Sequence, residues 1–132
     1  MTSHVSPKLQ FDVISVRLSA HGSQASCKHA SIELDTDMAG NSQAFNPAEL
    51  LLAALSACMI KSIERVMPLL KFDLRGVEVH VHGVRQDVPP RMESIAYEIV
   101  IDTDEPDRRL DLFHENVKNT AQFSTPWPLA PS

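Results

Sequence analysis

The sequence predicts an α+β fold in which helices pack on a strongly bent antiparallel sheet. Three observations lead there. A long Ala- and Leu-rich segment, Asn46 to Pro68, carries helix-start chemistry; Val77 to Val84 alternates strictly; and the elements run strands, long helix, strands, helix.

The first segment, Phe11 to Ala20 (FDVISVRLSA), is rich in Val and Ile with partial alternation, which suits a strand. His21-Gly22-Ser23 supplies turn chemistry, and Ala25 to His29 and Ser31 to Leu34 are expected as a second and third strand. Asp35 to Asn46 (DTDMAGNSQAFN) is dense in Asp, Asn, Ser and Gly and is expected to be a loop. The helix follows, with Asn46 as N-cap, Pro47 at the first helical position and Glu49 in the first turn. Pro68 marks an end or a kink, giving a helix of about 20 residues, roughly 30 Å long.

Beyond Gly76, Val77, Val79 and Val81 fall on one face of a strand and Glu78, His80 and His82 on the other. Asp87 to Arg91 holds a Pro-Pro connection, and Ser94 to Ile101 is the strand expected to pair back as a long hairpin. A second helix is expected from Asp104 to Pro106 onward, capped by Thr103 or Asp104, with Leu110, Phe113 and Val117 at helical spacing. The tail from Ser124, with Pro126, Pro128 and Pro131, is expected to be a short irregular cover.

Length and composition narrow the function classes. At 132 residues and 14.6 kDa the chain is expected to be a single domain, residues 1–132. A hydrophobic fraction of 43% excludes a disordered tail, and a net charge of −5 with scattered basic residues argues against nucleic acid as a partner. The longest apolar run, Leu50 to Ile60, is far short of the roughly 20 residues that span a bilayer, so no membrane is expected. The polar N-terminus lacks a signal-peptide pattern, and two free thiols suit a reducing compartment, so the expected location is cytoplasmic. No glycine-rich phosphate loop occurs, because Gly22, Gly40, Gly76 and Gly83 lie far apart; no nucleotide cofactor is expected.

The first half of the long helix is apolar nearly all round, which one sheet face does not satisfy. Small residues at Ala53, Ala54, Ser56 and Ala57 let another backbone come close, and a homodimer that buries the helix is the natural solution.

Cys58 lies deep in this helix and shares its face with Leu51, Ala54, Leu55, Lys61, Ser62 and Arg65. Two cations on one face with a cysteine is an arrangement that favours the thiolate, the form that attacks a peroxide oxygen or a disulfide sulfur. The competing reading is a small core residue, the usual fate of a free Cys in an apolar helix. Glu49 stands nine residues earlier, on nearly the opposite face of a straight helix, so it serves the thiol only through a kink or across a dimer interface. Otherwise it is a first-turn acid opposite the helix dipole. His80 and His82 share a strand face, yet nothing nearby in sequence supplies a third ligand, and no metal is expected.

From Asn46 to Met59, NPAELLLAALSACM, the chain resembles the OsmC/Ohr family of bacterial stress and hydroperoxide-resistance proteins. The Pro-x-Glu-Leu-Leu helix start, the distance to the Cys and the element order along nearly the whole chain carry the resemblance. It implies an OsmC-like fold, with curved antiparallel sheets around a long central helix in an intertwined homodimer. It also implies thiol-dependent reduction of organic hydroperoxides, a first cysteine forming a sulfenic acid that a second resolves as a disulfide. Cys58 matches the first cysteine. The second belongs around Thr120 or Ala121, where this sequence has none, and Cys27 is its one other thiol. Ala48 occupies the place of an acid that directly follows the helix-start proline, leaving Glu49 as the acidic candidate. The arginine of the first hairpin has its nearest counterpart in Arg17.

The expectation is therefore a stress or redox protein acting on a small-molecule hydroperoxide or thiol, with Cys58, Glu49 and Arg17 as candidate catalytic residues. The alternative is a non-catalytic module of the same fold that holds a hydrophobic small molecule at the dimer interface, a reading favoured by the missing second cysteine.

Overall fold

The structure, a computed structural model, describes residues 8–120. The tail from Ser124 to Ser132 lies outside the described residues. The chain divides into two compact units at Pro47/Ala48, and the fold is α+β with antiparallel sheets and two helices.

The first unit is a three-stranded meander of β1 (Ile14–Ser19), β2 (Gly22–Cys27) and β3 (Ala30–Leu34). The turn falls at Ala20 and His21, and Gly22 opens β2, one residue earlier in the chain than glycine-turn chemistry suggested. Residues directly opposite on antiparallel strands share a face. Arg17 pairs with Ser23, and Ala25 lies opposite both Ser15 and Ile32. Ser23 and Ala25 on that face are buried. A register shift between Arg17 and Ser19 leaves Leu18 as the extra residue of a bulge. On the other face of β1, Ile14 and Val16 are 69% and 54% exposed.

Asx chemistry shapes the following loop. The Asp35 carboxylate accepts the backbone N–H of Asp37 at 3.1 Å and of Asn41 at 2.9 Å, while its own N–H donates to the Phe45 carbonyl at 2.8 Å. Asp37 and Asn41 each accept the N–H two residues on. Such local bonds compete with helix and sheet and hold the segment as a closed loop.

The second unit contains α1 (Pro47–Leu70), β4 (Gly76–Gln86), β5 (Arg91–Asp102) and α2 (Asp107–Thr120). Helix α1 starts at the expected proline but passes through Pro68. The proline removes one i→i−4 bond, to the carbonyl of exposed Glu64, which water can satisfy at the surface. The helix ends in a Schellman turn: Lys71 takes a left-handed conformation with φ 48°, and the Phe72 N–H reaches back to the Met67 carbonyl at 3.2 Å.

Strands β4 and β5 pair from Gly76↔Asp102 to Gln86↔Arg91. The alternation holds: Val77, Val79 and Val81 are half-buried, and Glu78, His80 and His82 are exposed. Gly83 lies on the valine face because α1 passes close over it. A Cβ there would stand 2.5 Å from the Met92 methyl and 3.1 Å from Leu52 Cδ2.

The core of this unit is Ile63 and Val66 of α1, Phe72, and Phe113 of α2, with Val77, Ile99, Ile101 and Leu110 packed around them. The Phe72 and Phe113 rings stack at 4.4 Å between centroids. The second helix begins later than its cap chemistry suggests, at Asp107. Thr103 instead donates its hydroxyl to the Asp73 carbonyl and accepts the Glu105 N–H at 3.1 Å. Asp104 and Asp102 both bind the Arg75 guanidinium, which holds the Asp104 carboxyl below its usual range. Arg109 donates to the Leu70 carbonyl at 2.6 Å, so α2 caps an orphan carbonyl of α1.

Phe113→Ala removes the ring that joins the two helices at 1% exposure. Its expected cost is about 3–5 kcal/mol, read as a lowered midpoint in urea unfolding with an unchanged slope.

Candidate functional site

The site is set by which face of α1 is buried. Met59, Ile63 and Val66 point into the unit, and each is at most 4% exposed. Cys58, adjacent to Met59 but about 100° round the helix, is exposed. Its surroundings are mixed. Upstream on the same face, Leu51 and Leu55 are half-buried and Ala54 is exposed; downstream, Ser62 is buried whereas Lys61 and Arg65 are exposed. The sulfur thus sits on the seam between the packed and solvated sides of the helix. Within the single chain Cys58 is not packed into the core.

Lys61 stands one turn and Arg65 two turns beyond Cys58, about 4.5 and 10.5 Å along the axis. Among the described residues neither is in an ion pair. Glu49 is exposed in the first turn of α1, and because the helix is continuous between them, the two side chains leave it on opposite sides. Arg17 is exposed on β1 of the first unit. Cys27 is half-buried at the end of β2, on the same sheet face as Arg17, with Lys28 after it at φ 58°. Glu49 and Cys58 therefore belong to one unit, and Arg17 and Cys27 to the other.

Two further features lie in the second unit. His80 Nε2 is 3.0 Å from the Glu78 carboxylate, and that hydrogen bond raises the His80 pKa above its ordinary value. Among the described residues no three His, Cys, Asp or Glu side chains converge as a metal site. Between β5 and α2 runs a groove of about 540 Å³ with an apolar floor, Ile99, Ile101, Leu110 and Phe113, and a polar rim, Tyr97, Asp111 and His114. None of Cys58, Glu49 and Arg17 lines it. Sequence reasoning passed over this groove. Tyr97, Ile99 and Ile101 stand at period-two spacing on one face of β5, but nothing in the sequence indicates that α2 would form a groove with them.

Comparison with known proteins decides the family. The family model described as OsmC-like protein matches residues 39–124, which include the end of the loop, the long helix and the hairpin. The chain belongs to the OsmC-like family. The OsmC-like protein from Mycoplasma pneumoniae is similar to it at 18% identity, over 87% of this chain and 84% of that one, with a TM-score of 0.76. An organic hydroperoxide resistance protein OsmC from Legionella pneumophila, described as a predicted redox protein and regulator of sulfide bond formation, is 16% identical over 86% and 87% of the two chains, with a TM-score of 0.60. The organic hydroperoxide resistance protein OhrB of Bacillus subtilis is 18% identical over 85% and 83%, with a TM-score of 0.52. At these identities the solved structures establish the fold. No curated protein matches the chain. Among the described residues of this OsmC-like chain no helix is long and apolar enough to cross a membrane.

The His80–Glu78 contact stabilises protonated His80. Its contribution to stability is present at low pH and is lost as pH rises through the raised pKa. Glu78→Gln is expected to lower the His80 midpoint in an NMR titration of the imidazole carbon-bound protons.

Proposed function

We propose that this OsmC-like protein reduces organic hydroperoxides with Cys58 as the attacking sulfur. The observation that carries the reading is the exposure of Cys58 on the seam of α1, between an apolar stretch and two cations. The thiolate attacks the terminal peroxide oxygen; the O–O bond breaks, Cys58 becomes a sulfenic acid, and the alkoxide leaves and takes a proton as the alcohol. Leu51, Ala54 and Leu55 offer the apolar surface for the alkyl group. Hydroperoxide resistance in the Legionella and Bacillus proteins of the same fold supports this chemistry.

The protein acts as a homodimer in this reading. Ile14, Val16 and Leu18 leave an apolar edge strand facing solvent, and Leu50, Leu51 and Leu52 are only half-covered. A second copy covers such surface, and it brings Glu49 of one protomer toward the thiol of the other, which the continuous helix forbids within one chain. Arg17 then serves to orient the peroxide. Two cysteines left as free thiols suit a reducing compartment such as the cytoplasm in this reading.

A second reading is a binding module for an apolar small molecule, and the β5–α2 groove favours it. A bound apolar ligand in native mass spectra, held equally well by Cys58→Ser, selects that reading.

Cumene hydroperoxide mixed with the protein and a dithiol is expected to disappear with turnover. Cys58→Ser is expected to reduce this to background and Cys27→Ser to leave most of it; peroxide that persists alongside a reduced Cys58 ends the catalytic reading. Sedimentation equilibrium is expected to give twice the 14.6 kDa chain mass, and a monomer at micromolar concentration removes the shared site.

A further inference from the structure

The sulfenic acid that the proposed reaction leaves on Cys58 must be discharged, and the chain places its groups unevenly for that step. The sequence contains two cysteines, and α2 (DRRLDLFHENVKNT) contributes none. Cys27 belongs to the other unit, half-buried at a hairpin end. Around Cys58 the surface changes character along the helix axis. From Leu50 to Ser56 upstream no residue carries a charge, whereas Lys61, Glu64 and Arg65 follow downstream, all exposed. Lys61 and Arg65 lie within about 60° of the Cys58 direction, and Glu64 lies about 120° away. Both cations are outside any ion pair among the described residues, on a protein whose net charge is −5. An apolar peroxide and an anionic reductant thus have separate approaches to one sulfur.

We infer that Cys58 is recycled by an external, low-molecular-weight thiol bearing a carboxylate, steered and held by Lys61 and Arg65, in place of a second cysteine of the chain. This rests on the peroxide reading above. The sulfur of the incoming thiolate attacks the sulfenic sulfur; an S–S bond forms, the S–O bond breaks, and hydroxide leaves with a proton as water. A second molecule of the same thiol attacks the mixed disulfide, releasing the external disulfide and regenerating the Cys58 thiolate. The balance is one hydroperoxide and two thiols to one alcohol, one water and one disulfide. The cations act on the incoming carboxylate through exposed charge interactions, which are modest and weaken with salt.

The test separates the two steps. Protein is first oxidised with one equivalent of cumene hydroperoxide, and sulfenic acid is verified by dimedone capture at Cys58. The preformed sulfenic acid is then mixed with 3-mercaptopropionate or 2-mercaptoethanol at equal thiolate concentration, and the mixed disulfide is followed by intact mass. The wild-type protein is expected to favour the carboxylate thiol over the neutral one by about two- to fivefold more than Lys61→Gln/Arg65→Gln does, with the difference shrinking at high salt. Equal preferences in wild type and variant overturn the inference and leave the peroxide reading standing. So does a Cys27–Cys58 disulfide that forms ahead of any adduct. Absence of dimedone capture in the first step removes the peroxide reading and the inference with it.

Discussion

Everything chemical in this chain depends on the one-sided burial of α1. The helix has to place Met59, Ile63 and Val66 against the hairpin and α2, and at 3.6 residues per turn that choice fixes where every other side chain goes. Cys58 reaches solvent because its neighbour Met59 does not. Had the helix been rotated by one residue position, the sulfur would be core and Lys61 would face an apolar wall, at a desolvation cost no partner in that core could offset.

The two halves of α1 are held differently. Its C-terminal half is fastened by the Schellman turn, the Phe72–Phe113 stack and the Arg109 bond to the Leu70 carbonyl. Arg75 with Asp102 and Asp104 joins the same end to the exit of β5. Its N-terminal half packs through half-covered leucines and alanines, with Leu52 seated over Gly83. Cys58 lies at the middle of the helix, between these two halves.

Much of this architecture was legible in the sequence, for identifiable reasons. Period-two alternation in VEVHVHGV and the Asn46-Pro47-Glu49 start are local signals, and both elements formed as read. The family followed from the helix start and the Cys at its distance, and the fold followed from the family. What was missed needed contacts between distant segments. Thr103 and Asp104 have the composition of a cap, but Asp73 and Arg75, some thirty residues earlier, claim them, and α2 starts later. Pro68 suggests an ending, yet the turn that ends α1 is written in Lys71 and Phe72, the latter bonded back to Met67 and stacked on Phe113 from the distant second helix. Of the site, the seam position of Cys58 was computable only as a helical face carrying both leucines and cations; which part of that face would be wet depended on where the hairpin lay.

Gly83 carries a consequence for how such a protein diversifies. It contributes no side chain, and the space it vacates is filled by Leu52 and the Met92 methyl, which lets α1 settle close to the hairpin. Leu52 is six residues before Cys58 on the same rigid rod. A methyl group at position 83 would press on the Met92 methyl and on Leu52, and both side chains would have to re-pack beneath that rod. The seating of the helix that carries Cys58 is thus shared with a residue of the hairpin, and drift at a silent-looking glycine would act on that helix while its own sequence stays the same.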